Sequence, residues 1–418
     1  MNTFKFSFPG LILSLIIFLS SNLFSQTSFW ESKNSGLTIL SIWSIRTSPS
    51  DEVFVGTSNR GFFRSTDNGE NWTLSNNGLP SHAVRSIAFH PNGDMYIGME
   101  NGGLHKSTDN GYNWAEVFSG FDARYVYGLL VASNNYIFAA TADSGIYRST
   151  NNGDSWGKVN VGLTTPYFQA LLEDNEGDIY TGSFNKGVFK STNYGDTWQE
   201  VNNGLLGLNV WDICINNLGF IFASTYSGVY RTTNNGISWT QQNTGLTDLY
   251  LRSIITNSSD HVYTCSIDTG GVFRSFNNGD SWESINSGLN RLIVRVLAVN
   301  SLDYIFAGTD SGLYRSTFST TDINQRNNKF NNSFYFFNNY PNPFNPSTII
   351  KYSIPNSSKV IIKIFDILGR EIETLVNEEK PTGTYEITWY AGNLPSGVYF
   401  YQLRAGDFIQ TKKMILLK

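Results

Sequence analysis

Ser65-Thr-Asp-Asn-Gly-Glu-Asn-Trp72 recurs along the chain as Ser107 to Trp114, Ser149 to Trp156, Ser191 to Trp198, Thr232 to Trp239 and Ser275 to Trp282. Successive tryptophans lie 42, 42, 42, 41 and 43 residues apart. A period of about 40 to 45 residues carrying several short strands is the sequence form of propeller blades. Within one period the pattern is strand, turn, strand, turn: Val84–Phe89, the turn His90-Pro-Asn-Gly93, Asp94–Gly98, a Gly turn at 101–103, Leu104–Ser107, the Asp-Asn-Gly turn and Asn113–Val117. Asn-Gly and Asp-Asn-Gly between alternating strands signal hairpins, because Gly accepts positive φ. Four antiparallel strands per period make one blade.

The blade count comes from the chain ends. The last period reaches Tyr304–Gly308 and Leu313–Ser316 and stops before its turn and tryptophan. Trp30-Glu-Ser-Lys-Asn-Ser-Gly-Leu37 matches Trp282-Glu-Ser-Ile-Asn-Ser-Gly-Leu289, and Trp30 lies 42 residues before Trp72. The N-terminal strand is therefore predicted to complete the last blade, giving an all-β, seven-bladed propeller over residues 26–318. Such closure removes exposed sheet edges.

Composition agrees. The 418 residues include 38 Gly, 30 Phe, 22 Tyr and 10 Trp, with only 15% charged, which suits short strands joined by tight turns. A net charge of −5 without basic runs gives no footprint for nucleic acid. Cys214 and Cys265 fall at different phases of the repeat and are read as two free, small hydrophobes. Lys5, the apolar run Leu11–Leu19 and the polar stretch to Ser25-Gln26 have the layout of a secretory signal peptide, residues 1–25. The competing reading, a membrane anchor, needs about 20 apolar residues, and no other segment is long enough to span in the mature chain.

The repeated box resembles the Asp-box, or BNR repeat, of sialidases, sortilin-type receptors, xyloglucanase-like glycosidases and photosystem II assembly-factor propellers, over residues 27–317. In those families the boxes sit at the periphery. Its lead residue is Asp67 or Asp109 and then Asn151, Asn193, Asn234 and Asn277, beside Trp72, Trp114, Trp156, Trp198, Trp239 and Trp282. A short polar side chain there caps its own turn by accepting backbone N–H bonds. Asn does this as well as Asp, so the boxes are read as structural, with no metal or acid–base role.

Aligning the periods on tryptophan exposes candidate ligand residues. Positions twelve and fifteen residues on are apolar in every blade and read as core. Between them, thirteen residues on, stand Trp43, Arg85, Tyr127, Gln169, Trp211, Arg252 and Arg295. They are large, polar or aromatic, and differ where their surroundings do not. A ring facing a ligand at the channel mouth has this form, with aromatic faces for stacking and guanidinium groups for carboxylate or phosphate. A half-exposed strand start with snorkelling side chains has it too, and both readings stay open. The Arg or Lys before each box (Arg64, Lys106, Arg148, Lys190, Arg231, Arg274, Arg315) recurs in every blade and reads as framework.

Catalysis finds no support. A glycosidase needs two carboxylates about 5–10 Å apart. The blade-specific acids Asp212, Glu173, Asp174 and Asp248 form no pair that spacing justifies, and the sialidase and xyloglucanase-like catalytic patterns are not recognisable. The even spacing of the boxes leaves no room for long active-site loops. His82, His90, His105 and His261 are scattered, no Cys/His cluster has metal-ligand spacing, and no phosphate loop or nucleophile elbow occurs. Asp143-Ser-Gly145 and Asp310-Ser-Gly312 read as plain turns. No metal and no cofactor are expected.

After Thr317 the pattern breaks into a polar linker, residues 319–335, and a further set of strands: Ile349–Ile354, Val360–Asp366, Gly383–Trp389, Gly397–Arg404 and Phe408–Leu417. Alternating strands and turns over this length predict a small β-sandwich, residues 336–418. Tyr340-Pro-Asn-Pro-Phe-Asn-Pro346, Ile364-Phe-Asp-Ile-Leu-Gly-Arg370, Leu394-Pro-Ser-Gly-Val-Tyr-Phe400 and Lys412-Lys-Met-Ile-Leu-Leu-Lys418 resemble, in order, the type A C-terminal sorting domain of the type IX secretion system. The resemblance implies a Bacteroidota-type bacterium, the type IX machinery as a partner, and a secreted or outer-membrane surface location. A carbohydrate-binding or adhesion sandwich is the alternative. The chain as a whole reads as an exported propeller that binds an extracellular glycan or protein without catalysis. A sialidase-like or xyloglucanase-like hydrolase with unidentified carboxylates is the alternative.

Overall fold

The computed structural model describes residues 28–321, 335–336, 339 and 342–418, apart from 60, 81, 82, 118, 355 and 407. The expected signal peptide, most of the expected linker, His82 and Tyr340-Pro341 lie outside the described residues.

Residues 28–321 form seven four-stranded antiparallel sheets. Blade 1 runs from its inner strand, Ile42–Thr47, through Val53–Thr57 and Phe62–Ser65 to the outer strand Thr73–Leu74. Blades 2 to 6 repeat this order, with inner strands Val84–Phe89, Val126–Val131, Phe168–Glu173, Val210–Ile215 and Leu251–Thr256. Blade 7 takes three strands from residues 294–316 and its outer strand, Trp30–Ser32, from the other end of the chain, in the register Trp30↔Ser316, Glu31↔Arg315 and Ser32↔Tyr314. The outer strands are shorter than the sequence predicts: Asn113–Val117 contracts to Ala115–Glu116, since the box turn takes up the residues before it.

Hydrophobic burial concentrates in the middle strands, and all five positions of every second strand are buried, as in Ile137–Thr141. These strands are covered on both faces by the neighbouring blades, so they read as continuous apolar runs. The tryptophans join blade to blade. Each donates its backbone N–H to the preceding blade, as Trp114 does to the Asn77 carbonyl at 2.9 Å. The indole of Trp114 adds a bond to the Ser75 carbonyl at 3.0 Å, and that of Trp30 one to Ile285 at 2.6 Å. Trp156 departs, its indole turning back to Gly153. The joint is too close for a side chain on the facing residue. Gly78 has φ +88°, and a Cβ there would collide with the Trp114 carbonyl oxygen. Gly288 meets Trp30 in the same way, so the joint that closes the ring repeats the other six.

The box geometry shows how Asp and Asn interchange. Ser65 Oγ donates to Asp67 Oδ1 at 2.7 Å and accepts from Gly69 N at 2.9 Å, while Asn71 N donates to Asp67 Oδ1 at 2.9 Å. Asn151 Oδ1 makes the same two bonds, to Ser149 Oγ and Ser155 N. The remaining atom decides the partner four residues on. Asp67 Oδ2 accepts from the amide of Asn71, whereas Asn151 Nδ2 donates to the hydroxyl of Ser155. Asp109 faces Asn113, and Asn193, Asn234 and Asn277 face Thr197, Ser238 and Ser281. The recurring basic residue is tied to acids, as in Arg64 with Glu52, Lys106 with Asp94 and Arg315 with Glu31.

Both cysteines are free. Burial pushes the thiol of Cys265 up to about 12 and that of Cys214 well above its ordinary range. The chain stays on the propeller past Ser316: Thr320 is buried and accepts from Asn257 Nδ2 at 2.9 Å.

Residues 342–418 pack a four-stranded sheet, in the order Glu371–Lys380, Ser358–Phe365, Gly397–Ala405, Phe408–Leu416, and Ser347–Ile354 pairs with Gly383–Tyr390. Ile362, Ile364, Trp389, Tyr401, Leu403 and Met414 are buried in the core. The sequence reading missed Glu371–Lys380. It is an edge strand whose residues are mostly exposed and half of them charged, the usual protection of an edge against pairing, and this composition hides the strand pattern. The Ile364–Arg370 motif forms a tight turn in which Asp366 Oδ1 accepts from Leu368 N and Arg370 N, each at 2.9 Å.

Candidate functional site

Seven inner strands line a central cavity of about 630 Å³. In each of them the register shifts by one residue near the start: between Ile42 and Ser44, Val84 and Ser86, Val126 and Gly128, Phe168 and Ala170, Val210 and Asp212, Leu251 and Ser253, and Val294 and Val296. The residue left out of the ladder is Trp43, Arg85, Tyr127, Gln169, Trp211, Arg252 or Arg295. A bulge leaves one residue unpaired and re-aims its side chain. Here it does so in all seven blades, and all seven side chains line the cavity.

Three guanidinium groups surround one indole. Arg85 lies 3.5 Å from the centroid of a Trp43 ring, Arg295 5.3 Å and Arg252 5.8 Å. Arg252 also faces Trp211 at 5.2 Å, and Arg85 faces Tyr127 at 4.9 Å. Two of the three are neutralised. Arg85 Nε donates to Glu100 Oε2 at 2.9 Å, and Arg295 donates from Nε and Nη2 to the two carboxylate oxygens of Asp310 at 2.6 and 3.0 Å. Asp310 also accepts from Ser41 Oγ, which accepts from Trp43 Nε1 at 3.0 Å, so one chain of bonds fixes both Arg295 and Trp43. Arg295 holds the Asp310 carboxyl below the usual range.

Arg252 has no carboxylate partner among the described residues. Burial first, and then the charges of Arg85 and Arg295, lower its guanidinium to about 10. Gln169 is buried, and its side-chain NH₂ makes no hydrogen bond. An aromatic arc continues the ring: Tyr127 with Tyr167 at 6.0 Å, Tyr167 stacked on Phe184 at 5.1 Å, Trp211 with Tyr226 and Tyr226 with Tyr250, both at 5.5 Å.

Several of these partners escaped the sequence reading. Glu100, Phe184, Tyr226 and Asp310 all stand twenty-eight residues after a tryptophan, just past the second strand. Tyr167 and Tyr250 stand eleven after one. Both columns vary between blades as the ring does, so the signal was present. Asp310, read as a plain turn residue, instead anchors Arg295.

The blade-specific acids fall apart. Asp212 lies in the channel, where burial raises its carboxyl against the bonds it accepts from Ile254 N and Ser253 Oγ. Asp248 ties its own loop through Ser266, Thr269 N and Gly270 N. Glu173 and Asp174 sit at the far end of blade 4, where Glu173 accepts from Ser133.

The fold and the tail define the class: a seven-bladed β-propeller carrying a secretion system C-terminal sorting domain, whose family model matches residues 338–417. The chain is thereby a secreted or cell-surface protein that engages the secretion machinery through its tail. Residues 50–165 match the DUF6242 β-propeller domain. Among solved structures, the chain resembles the extracellular domain of a hybrid two component system from B. thetaiotaomicron, with a TM-score of 0.60 at 13% identity, covering 93% of this chain and 57% of that one. The Niastella koreensis GH74 enzyme gives 0.58 at 16%, covering 78% and 59%. YCF48 bound to D1 peptide gives 0.56 at 15%, covering 71% and 98%. At these identities the likeness is one of fold, and the chain spans less than two thirds of the first two proteins. No curated protein sequence matches it. Among the described residues, no helix is long and apolar enough to cross a membrane.

Proposed function

We propose that the channel mouth is a ligand-binding site and that the protein is a non-catalytic binding module for an extracellular glycan, delivered by its sorting tail. The observation that supports this most is the seven-fold bulge. The same backbone device aims a large side chain into one cavity in every blade, and the seven are of four kinds, Arg, Trp, Tyr and Gln. A purely structural ring would repeat one residue, as the tryptophan joint does. Aromatic faces at Trp211, Tyr127 and Tyr167 suit sugar rings, and the unpaired Arg252 suits an acidic group.

The carboxylates support binding over hydrolysis. Glu100 and Asp310, at the mouth, are each held by an arginine, and Asp310 is kept ionised. A glycosidase acid needs a raised value instead, and Asp212, the channel carboxyl that burial does raise, is taken up by Ser253 Oγ and Ile254 N. A protein ligand is the second reading, favoured by the arginines and by a peptide-bound propeller among the similar folds.

The test is a glycan array probed with the full chain and with a Trp43→Ala/Trp211→Ala double variant, hits being assayed for released sugar. Binding lost in the variant without products is the expected result. Released sugar would overturn the non-catalytic reading, and a blank array would move the site to a protein ligand.

A further inference from the structure

At the other end of blade 4, the turn Asp174-Asn-Glu-Gly-Asp178 joins the inner and second strands. We infer that this turn, with the box of blade 5, is a calcium site.

One oxygen from each of Asp174, Glu176 and Asp178 lies within 4.8 Å of the other two. Among the described residues, no other blade assembles such a set. The matching triplets are Ser48, Ser50, Glu52; His90, Asn92, Asp94; and Ala132, Asn134, Tyr136 in blades 1 to 3, and those of blades 5 to 7 hold no acid at all. Clustered acids alone would be unremarkable. The decisive feature is Asp174, which is 8% exposed. Its Oδ1 accepts from Glu176 N at 2.9 Å and Asp178 N at 3.0 Å, closing the turn. Its Oδ2 is buried and is met by no donor in hydrogen-bonding geometry, since the Tyr180 hydroxyl beside the Asp174 carboxylate gives its one proton to the Asn235 carbonyl. A buried carboxylate oxygen left bare is costly, and native folds satisfy such atoms with protein, water or an ion.

The surrounding groups match a divalent cation. Lys190 Nζ sits 2.7 Å from Asp178 Oδ2, so three carboxylates and one ammonium leave a net charge of −2. The donors are all oxygens, the hard ligands that calcium takes. The Tyr180 hydroxyl donates to the Asn235 carbonyl at 3.0 Å, and burial together with the neighbouring carboxylates pushes its ionisation upward. Asn235, from the blade 5 box, donates to Glu176 Oε1 at 2.9 Å, so the site bridges two blades. Glu176 is exposed, which leaves the cluster open to solvent. Elsewhere on this face an acid in one turn grips the preceding blade's turn, as Asp303 grips Ser258 and Asp51 grips Ser301. Between blades 4 and 5 the matching residue is Gly219, which lies against Asn175 and has no side chain to reach across, and the cation takes over that joint. Extracellular calcium modules bind with Kd on the order of 10⁻⁴–10⁻³ M, a range suited to an exported protein.

The test uses the full chain, freed of metal with EDTA and melted across about 0.1 to 10 mM CaCl₂, beside Asp174→Asn and Glu176→Gln. Asparagine is the resident residue at this position in blades 5, 6 and 7 (Asn216, Asn257, Asn300), so Asp174→Asn keeps the turn cap. The parent's melting temperature should rise by about 2 °C or more at saturation, with a smaller response to MgCl₂. Both variants should need at least about tenfold more calcium for the same rise. An unchanged parent, an equal response in Asp174→Asn, or an equal response to magnesium would overturn the assignment.

Discussion

Trp30 and Trp43 lie thirteen residues apart on the two blades that meet where the ring closes, blade 7 and blade 1, and do opposite things. Trp30 is 2% exposed, pairs with Ser316 and donates its indole N–H across a blade joint. Its six counterparts are all tryptophan. Trp43 is half-buried on a bulge, stacked under Arg85, and its counterparts include arginine, glutamine and tyrosine. Where geometry repeats and sequence repeats with it, packing sets the residue. Where geometry repeats and sequence does not, the fold leaves the residue open, and on the proposed function a ligand sets it.

The comparison breaks most visibly under truncation. Trp30→Ala should cost about 3–5 kcal/mol, the usual loss for a buried tryptophan, because it opens the joint that closes the ring. Trp43→Ala should cost about 1 kcal/mol or less, since the ring lies at the cavity wall with an Arg on its face. Urea unfolding of the two variants checks both. Equal losses would mean that the mouth ring is framework as well.

At the small end stands the box. Asp67→Asn should change stability by no more than about 0.5 kcal/mol, because Asn151 makes the same Oδ1 bonds and Asn71 can turn its amide to meet the new donor. A loss well beyond that, in the same urea series, would show that the carboxylate has a role that the four asparagine boxes lack.

The seven blades and their closure were legible because the joint forces identity: Gly78 against Trp114 admits no alternative, so the repeat is written in every period. The mouth ring was legible as variation between two constant columns. Its orientation was not, because the bulge's extra residue is present in all seven blades and so leaves no mark on the spacing from one period to the next. Glu100 and Asp310 were hidden by position. They follow a fully buried strand and meet the ring only through the fold, fifteen residues after Arg85 and Arg295. The charged edge strand Glu371–Lys380 and the Asp174 turn share a different obstacle, since acids at a surface look alike whether they protect an edge, cap a turn or hold an ion.

The central claim is that the ring is kept for a ligand at some expense to the fold, and Arg252 tests it most directly. Its guanidinium is lowered to about 10 in the folded chain, so the folded state holds this charge at a cost. That cost is full at every pH below about 10 and fades as pH rises toward the unfolded value. The measurement is the melting temperature of Arg252→Met beside the parent at neutral pH, without ligand. A ring kept for binding predicts a more stable variant, by about 1 kcal/mol. A less stable variant would contradict the account and make Arg252 part of the framework.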